Sequence, residues 1–416
     1  MMVWLLFLIC LCLPAYQIRF KIGFLPITLL EVLILILFFS WFFLKLRPKA
    51  GQDLADKEKG LKIFREKWQA LGIWSWLILF WLLLASAAVF RAQDLRAGAG
   101  IFKAFFLEPI LFFIVLTDCL KSEKERKIVL FGLFLSAFYL SFFALFQKFF
   151  GGGVMSLEAL GQPKVWRATS LFPQPNFLGL YLGPIAILLL GRKQNIFFLI
   201  AFFLSVLAIV LARSEGALLG VFFGFLFFLL LIHQKTRKIT LTSLLILVIL
   251  VFSFAPSRNF LTEKIAFHDL SGRLRLNIWQ GAWSLLKTSP FLGVGLGGYQ
   301  NLVPQFQQPY YFQDKLISVE THPYPHNFYL ALWLELGFLG LLVFLGILVK
   351  FFVSIFRRIK NNPSSKRFLL AVAGAMIVIL IHGLVDTPYF KNDLSVLFWL
   401  IIGLSVLPNH FKNQKC

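Results

Sequence analysis

The sequence predicts an all-α integral membrane protein. It reads as a single polytopic domain, 1–416, with about twelve transmembrane helices of the roughly 20 residues that cross a bilayer. Three observations predict it. The composition is 59% hydrophobic and 14% charged, with a mean hydropathy of +0.80, whereas soluble domains are about a quarter charged. The apolar residues fall in runs long enough to span. Lys and Arg gather in every second connection.

The expected spans are 3–17, 24–46, 73–90, 101–118, 127–149, 174–191, 194–211, 214–233, 240–256, 327–350, 367–386 and 393–409. The first closes near Pro14. It lacks the basic start and small-residue cleavage site of a signal peptide. Several runs are apolar on every face, so periodicity does not separate lipid-facing from buried sides.

Basic loops lie on the cytoplasmic side of a membrane. Residues 45–67 carry Lys45, Arg47, Lys49, Lys57, Lys59, Lys62, Arg65 and Lys67. Basic residues return at 121–127, at Arg192 and Lys193, at Lys235, Arg237 and Lys238, and from Lys350 to Arg367. The intervening connections are poorer in them. Both termini are therefore expected in the cytoplasm.

The net charge of +22 sits mainly beside helix ends, where it orients the chain and meets anionic lipid. No compact basic module stands apart from the spans, which argues against nucleic-acid binding. Cys10, Cys12, Cys119 and Cys416 have neither metal-ligand spacing nor an extracellular pairing pattern.

The connection at 257–326 is too long to be a mere link and is expected outside as a large extracytoplasmic loop. In "SGRLRLNIWQGAWSLLKTSPFLGVGLGGYQ", Ile278, Ala282, Leu285 and Leu286 fall at helical spacing. Trp279 and Trp283 are four apart on the same side. The pattern reads as an amphipathic helix lying at the membrane surface, capped by Ser271 and ended by Pro290 and Gly293. "GVGLGG" follows a helix rather than a strand, so it reads as a turn allowing close backbone approach, not a nucleotide loop.

Ionisable residues collect near the outer face. Arg213 stands between the seventh and eighth spans, where it either snorkels, pairs with Glu215 or serves a chemistry. Arg273 and Arg275 open the loop helix. Guanidinium groups suit phosphate oxygens. His326 begins the tenth span. Pro323 and Pro325 keep the incoming chain extended, so the helix starts near His326. There a helix N-terminus favours the neutral ring, which can act as a general base. His382 and Asp386 lie at the outer end of the eleventh span, either lining the same cavity or pairing structurally.

Arginines and a histidine outside a membrane suit a lipid-linked diphosphate. The arginines would stabilise charge on the departing diphosphate, and the histidine would deprotonate an attacking sugar hydroxyl. The lipid diphosphate is already activated, so no nucleotide cofactor is needed. The outer loops lack a clustered acidic metal site, and "AYQIRFKIG" has no carboxylate. A metal-free mechanism is expected, with cationic side chains in place of a divalent ion.

Four segments resemble the O-antigen ligase and polymerase superfamily of bacterial envelope proteins. They are "RATSLFPQPNFLGLYLGP" (167–184), "ARSEGALLG" (212–220), "RLNIWQGAWSLLKTSPFLGVGLGGY" (275–299) and "HNFYLALWLELGFLGLL" (326–342). The resemblance implies a GT-C-type helical glycosyltransferase. It implies an undecaprenyl-diphosphate-linked glycan donor and an inverting, metal-independent transfer. Arg213 matches the family's first functional arginine, His326 its proposed base, and Arg275 its loop arginine by standing four before Trp279. Arg273, two residues earlier, also follows a Ser-Gly pair. Asn327 and Glu335 match as well, Glu335 as a packing residue. Glu215, His382 and Asp386 are carried as candidate substrate-binding residues.

Two enzymes fit this reading: a ligase moving a glycan to lipid A core, a protein or another envelope polymer, and a polymerase joining lipid-linked repeat units. A transporter or flippase is a third reading. It predicts midplane charges, for which Glu31 and Glu108 are the main candidates.

Overall fold

The computed structural model describes residues 1–23, 25–46, 65, 68–69, 71–155, 165–192, 196–312, 315–317 and 321–407. Most of the basic 45–67 segment, Lys193 and Cys416 lie outside them.

Within the described residues the protein is almost wholly helical. We number the helices α1 (Met2–Leu11), α2 (Leu29–Leu46), α3 (Ile73–Phe90), α4 (Leu95–Cys119), α5 (Glu123–Phe150), α6 (Pro175–Leu189), α7 (Ile196–Ala212), α8 (Glu215–Ile232), α9 (Gln234–Ser253), α10 (Ala255–Ile265), α11 (Leu270–Thr288), α12 (Gly298–Leu302), α13 (Phe328–Asn361), α14 (Lys366–His382) and α15 (Asn392–Val406). Three two-stranded hairpins, each antiparallel, complete the structure: Arg19–Ile22 with Leu25–Thr28, Val154–Met155 with Trp166–Arg167, and Tyr310–Phe312 with Lys315–Ile317.

Every expected span contains a helix. Among the described residues seven helices are long and apolar enough to cross a membrane, and α1, α6, α7 and α15 are shorter apolar helices. Several expected boundaries move: α4 starts at Leu95, α9 runs Gln234–Ser253, α13 runs on to Asn361 and α14 stops at His382. Two further shifts have a local cause. The first helix stops at Leu11, and Leu13–Gln17 is a 3-10 turn with Pro14 in its first turn, because proline cannot donate to a continuing α-ladder. Residues 25–28 form a strand rather than the start of α2.

Local chemistry sets the helix starts. Ser122 and Glu125 form a reciprocal capping box on α5. Asp94 accepts the amides of Arg96 and Ala97 at the start of α4. Asn327 accepts the amide of Leu330 at the start of α13. The helix α13 is broken at Gly337, which has φ +76°.

The loop helix exists, but three details differ from expectation. Its N-cap is Asp269 rather than Ser271. The carboxylate suits the positive end of the helix and also holds Lys264 at 2.9 Å. Its apolar face is covered by the protein itself: Ala282, Leu285 and Leu286 pack with Val294, Tyr299, Val303 and Leu334. The two tryptophans have separate partners, Phe267 for Trp279 and Trp333 for Trp283. The "GVGLGG" turn does bring backbones together. A Cβ on Gly293, at φ +69°, would stand 2.4 Å from the Leu334 carbonyl oxygen.

At the centre of the core lies Tyr389, in the turn between α14 and α15. Its hydroxyl accepts the indole N–H groups of Trp81 and Trp399 at 3.3 and 3.1 Å and donates to the Phe105 carbonyl at 2.8 Å. Phe105 sits in a π-turn, Lys103–Leu107, inside α4. Such a turn disturbs the helical ladder, and the tyrosine takes up a carbonyl there.

Tyr389→Phe should therefore destabilise the protein more than Tyr329→Phe, whose hydroxyl has one partner, the Leu380 carbonyl. Each buried group left unpaired costs about 1–3 kcal/mol. Thermal unfolding of both variants in detergent tests this, and equal shifts would contradict the shared-hydroxyl reading.

Candidate functional site

The turn 383–391 gathers the expected residues. The helix α14 ends at His382, and carbonyls beyond a helix end need partners from elsewhere. Here they are supplied in succession. Gly383 O accepts Phe328 N–H at 2.7 Å, Leu384 O accepts Asn327 Nδ2 at 3.1 Å, and Val385 O accepts Arg275 Nε at 3.3 Å. The next residue, Asp386, places Oδ1 3.3 Å from His326 Nδ1.

His326 sits just before the Asn327 cap at φ +47°, a left-handed backbone that is uncommon outside glycine. Its carbonyl accepts Trp279 Nε1 at 3.4 Å, and its ring meets His322 edge-on at 4.7 Å. The His326 side chain is 29% exposed and that of Asp386 6%. Burial alone would raise the Asp386 carboxyl, but the His326 hydrogen bond and charge, with help from His382 and Thr387, bring it down to about 2. It is therefore an anion, and a His326 tautomer with its proton on Nδ1 would donate to it and present Nε2 to the cavity.

His326 and Asp386 line a cavity of about 570 Å³. Its lining brings in residues that sequence reasoning passed over. Arg19 and Lys391 supply positive charge, and Gln17, Gln174 and Asn392 supply amides. Lys391 is packed over three rings, Tyr16, Phe172 and Phe177, at 4.2–4.8 Å. Asp393 Oδ2 lies 3.3 Å from its ammonium. Arg19 was visible in the quoted "AYQIRFKIG" as a cation in an outer connection. Nothing local marks Lys391, whose cage comes from two distant segments.

Arg213, Arg273 and Arg275 are not among the cavity's lining residues. Arg275 and Arg213 instead surround Arg167, another residue missed as a candidate. Arg167 donates to Ala212 O at 2.9 Å, to Asn176 Oδ1 at 2.7 Å and to Arg213 O at 3.4 Å. Burial lowers its pKa first; Glu215 opposes this, and Arg275 and Arg213 lower it further. Arg213 has φ +50° and an exposed side chain. Arg275 also donates to Ser271 Oγ, one helical turn back, at 2.8 Å. Arg273 is exposed.

Two expected partnerships change. Glu215 pairs with Lys264 at 2.7 Å rather than with Arg213, fastening the start of α8 to the end of α10. Asn327 uses both ends of its amide, one to cap α13 and one to hold Leu384. His382 is buried against the "ARSEG" turn. A Cβ on Gly216 would meet its ring at 2.6 Å, so this glycine makes room for the imidazole. Glu335 accepts the Gly297 amide at 2.5 Å, which is the packing role expected of it. Among the described residues, no group of three His, Cys, Asp or Glu side chains could hold a metal ion.

Residues 200–345 match the O-antigen ligase family model. The matched segment takes in Arg213, Glu215, Arg273, Arg275, His326, Asn327 and Glu335, and stops short of His382 and Asp386. Three relatives are similar over a longer stretch. A Rickettsia felis protein provisionally named a polysaccharide ligase is 27% identical over 231 residues, 54% of this chain and 53% of that protein. A similarly named Rickettsia typhi protein is 27% identical over 223 residues, 52% and 51% of the two chains. An uncharacterized Haemophilus influenzae protein is 25% identical over 287 residues, 61% and 65% of the two. The chain thus spans about half to two thirds of the length of the curated relatives it matches.

The low Asp386 pKa has a thermodynamic sign. The folded value lies below the unfolded carboxyl value of about 3.9. The ionised form therefore stabilises the fold above that value, and the contribution is lost as pH falls through about 2. The stability gap between wild type and Asp386→Asn should be fully open just above about pH 4 and narrow as pH falls toward 2. Thermal melts in detergent across pH test this; a gap that widens in acid would contradict the His326–Asp386 pairing.

Proposed function

We infer that the protein is an O-antigen ligase-like glycosyltransferase of the bacterial inner membrane, working at the outer face. It moves a glycan from undecaprenyl diphosphate to a hydroxyl of an envelope acceptor: lipid A core, a protein or another polymer. A GT-C-type fold of twelve crossings fits the twelve helices that fall in the expected spans. The observation that carries the reading is the His326–Asp386 pair in the wall of a cavity that also holds Arg19 and Lys391.

The chemistry follows from those groups. Asp386 accepts Nδ1–H and fixes the ring. His326 Nε2 takes the proton from the acceptor hydroxyl as its oxygen bonds to the anomeric carbon. The bond from that carbon to the diphosphate oxygen breaks on the opposite face, so the configuration inverts. The electron pair leaves on the diphosphate. Lys391 and Arg19 in the cavity, with Arg275, Arg213 and Arg167 beside it, would stabilise that growing charge. Of the two loop arginines, Arg275 fits this role better than Arg273, because it is held against the turn that carries Asp386. The positive side chains would supply what a metal supplies in other phosphate-leaving reactions.

The test uses the full chain in nanodiscs, a labelled undecaprenyl-diphosphate glycan and candidate acceptors, with product size read on a gel. His326→Ala should lower transfer by about 10²–10⁴-fold, the usual worth of a positioned general base. Arg275→Ala should cost more than Arg273→Ala, and EDTA should have no effect. One acceptor-linked product supports the ligase, whereas a ladder of lipid-linked products would make the protein a polymerase. Undiminished transfer by His326→Ala would remove the histidine from the mechanism.

A further inference from the structure

A second cationic site lies at the other end of the same helices. The helix α5 starts there, α6 turns into α7, and α14 begins. A cleft of about 360 Å³ opens between them. The charge pattern assigns this end to the cytoplasm.

Among the described residues the cleft is lined by Arg126, Lys127, Arg192 and Arg367, with Glu123 as the one carboxylate. Glu123 is already engaged by Lys127 at 2.8 Å. Four cations against one anion repel one another. They are not loosely held. Arg126 lies 4.1 Å above the Phe368 ring, Arg192 5.2 Å above Phe198 and Arg367 5.4 Å above Phe228. Arg367 also donates Nε–H to the Leu190 carbonyl at 2.9 Å. The three guanidiniums are half-buried and come from three different helix ends. Ordinary snorkelling cations spread toward water; these are braced toward a common space. Ser364 and Ser365 form part of the rim, and Leu130 and Phe368 add apolar surface.

Planar guanidinium groups braced around a cleft match the oxygens of a phosphate group, which accepts several charge-assisted hydrogen bonds at once. Basic pockets between transmembrane helices on the cytoplasmic side are suited to phosphate headgroups. We propose that this cleft binds a phosphate group, with the headgroup of an anionic phospholipid as its main source. The phosphate would offset the repulsion among the arginines and tie together the ends of α5, α6, α7 and α14. The site is separate from the His326 cavity, so its existence does not depend on the transfer reaction.

The test is native mass spectrometry of the full chain taken from nanodiscs of phosphatidylcholine with a minor share of cardiolipin. Wild type should retain cardiolipin preferentially. Arg192→Gln/Arg367→Gln should weaken retention by roughly thirtyfold, the loss of two basic contacts at a membrane surface. Arg237→Gln/Lys238→Gln removes the same charge from exposed positions at the same end and should retain cardiolipin as wild type does. A parallel arm measures the thermal shift given by pyrophosphate in lipid-free detergent. A shift that needs Arg192 and Arg367, without cardiolipin retention, would keep the phosphate site and assign it a soluble ligand. Equal retention by all three proteins with no pyrophosphate shift, or equal loss in both double variants, would overturn the proposal. Circular dichroism of each variant separates loss of binding from loss of fold.

Discussion

The candidate site hangs on one hydroxyl. Tyr389 sits in an apolar core and joins two indoles and a π-turn carbonyl, fixing the turn between α14 and α15 from below. In water such bonds are worth little net, but in a water-poor interior their loss leaves groups that nothing else can satisfy. With the lower part of the turn held, its upper carbonyls can be shared out one by one. The backbone of α13, the amide of Asn327 and the guanidinium of Arg275 each take one. Asp386 follows in the same series and meets His326. The candidate site therefore lies where a helix end has exhausted its own hydrogen bonds and must recruit other segments.

The same logic explains Arg167. The helix α7 ends at Ala212, and Arg167 takes the carbonyls of Ala212 and Arg213 while Ala168 N–H takes that of Leu211. This ties down a turn in which Arg213 adopts a left-handed backbone. A residue at such a φ persists only when its surroundings determine it. His326 is in the same position, with its carbonyl held by Trp279 and the next residues held by the 383–391 turn. Two functional candidates, Arg213 directly after α7 and His326 just before the Asn327 cap of α13, thus stand at helix boundaries, each strained and each braced by another residue's side chain.

Much of this was legible in the sequence, and the reason is the bilayer. Hydrocarbon demands long apolar runs, so each of the twelve expected stretches contains a helix. His326, Asn327 and Glu335 were visible because they interrupt one such run. Lys391 was not, because its stabilising rings are Tyr16, Phe172 and Phe177, far away in the chain. For the same reason Arg167 was not singled out, since two of its partners are the carbonyls of Ala212 and Arg213. Glu215 was read beside its chain neighbour Arg213, yet its partner Lys264 lies 49 residues on. Ser271 had the right chemistry for a cap, but Asp269 precedes it and also pairs with Lys264. In each case the local pattern allowed the residue, and a distant contact decided its use.

The loop helix α11 shows what that distinction means for function. Its apolar face is spent on the protein's own residues, so it is not free to float on lipid. In exchange it becomes a rigid arm. Arg275 and Trp279 stand four residues apart, which places them on one side of a helix. Arg275 reaches the Val385 carbonyl, and Trp279 reaches the His326 carbonyl. One helical face thus grips both members of the His326–Asp386 pair through the backbone beside them. A helix lying on the membrane surface would leave that grip to chance, whereas a helix packed on the protein fixes the distance between the arginine and the imidazole.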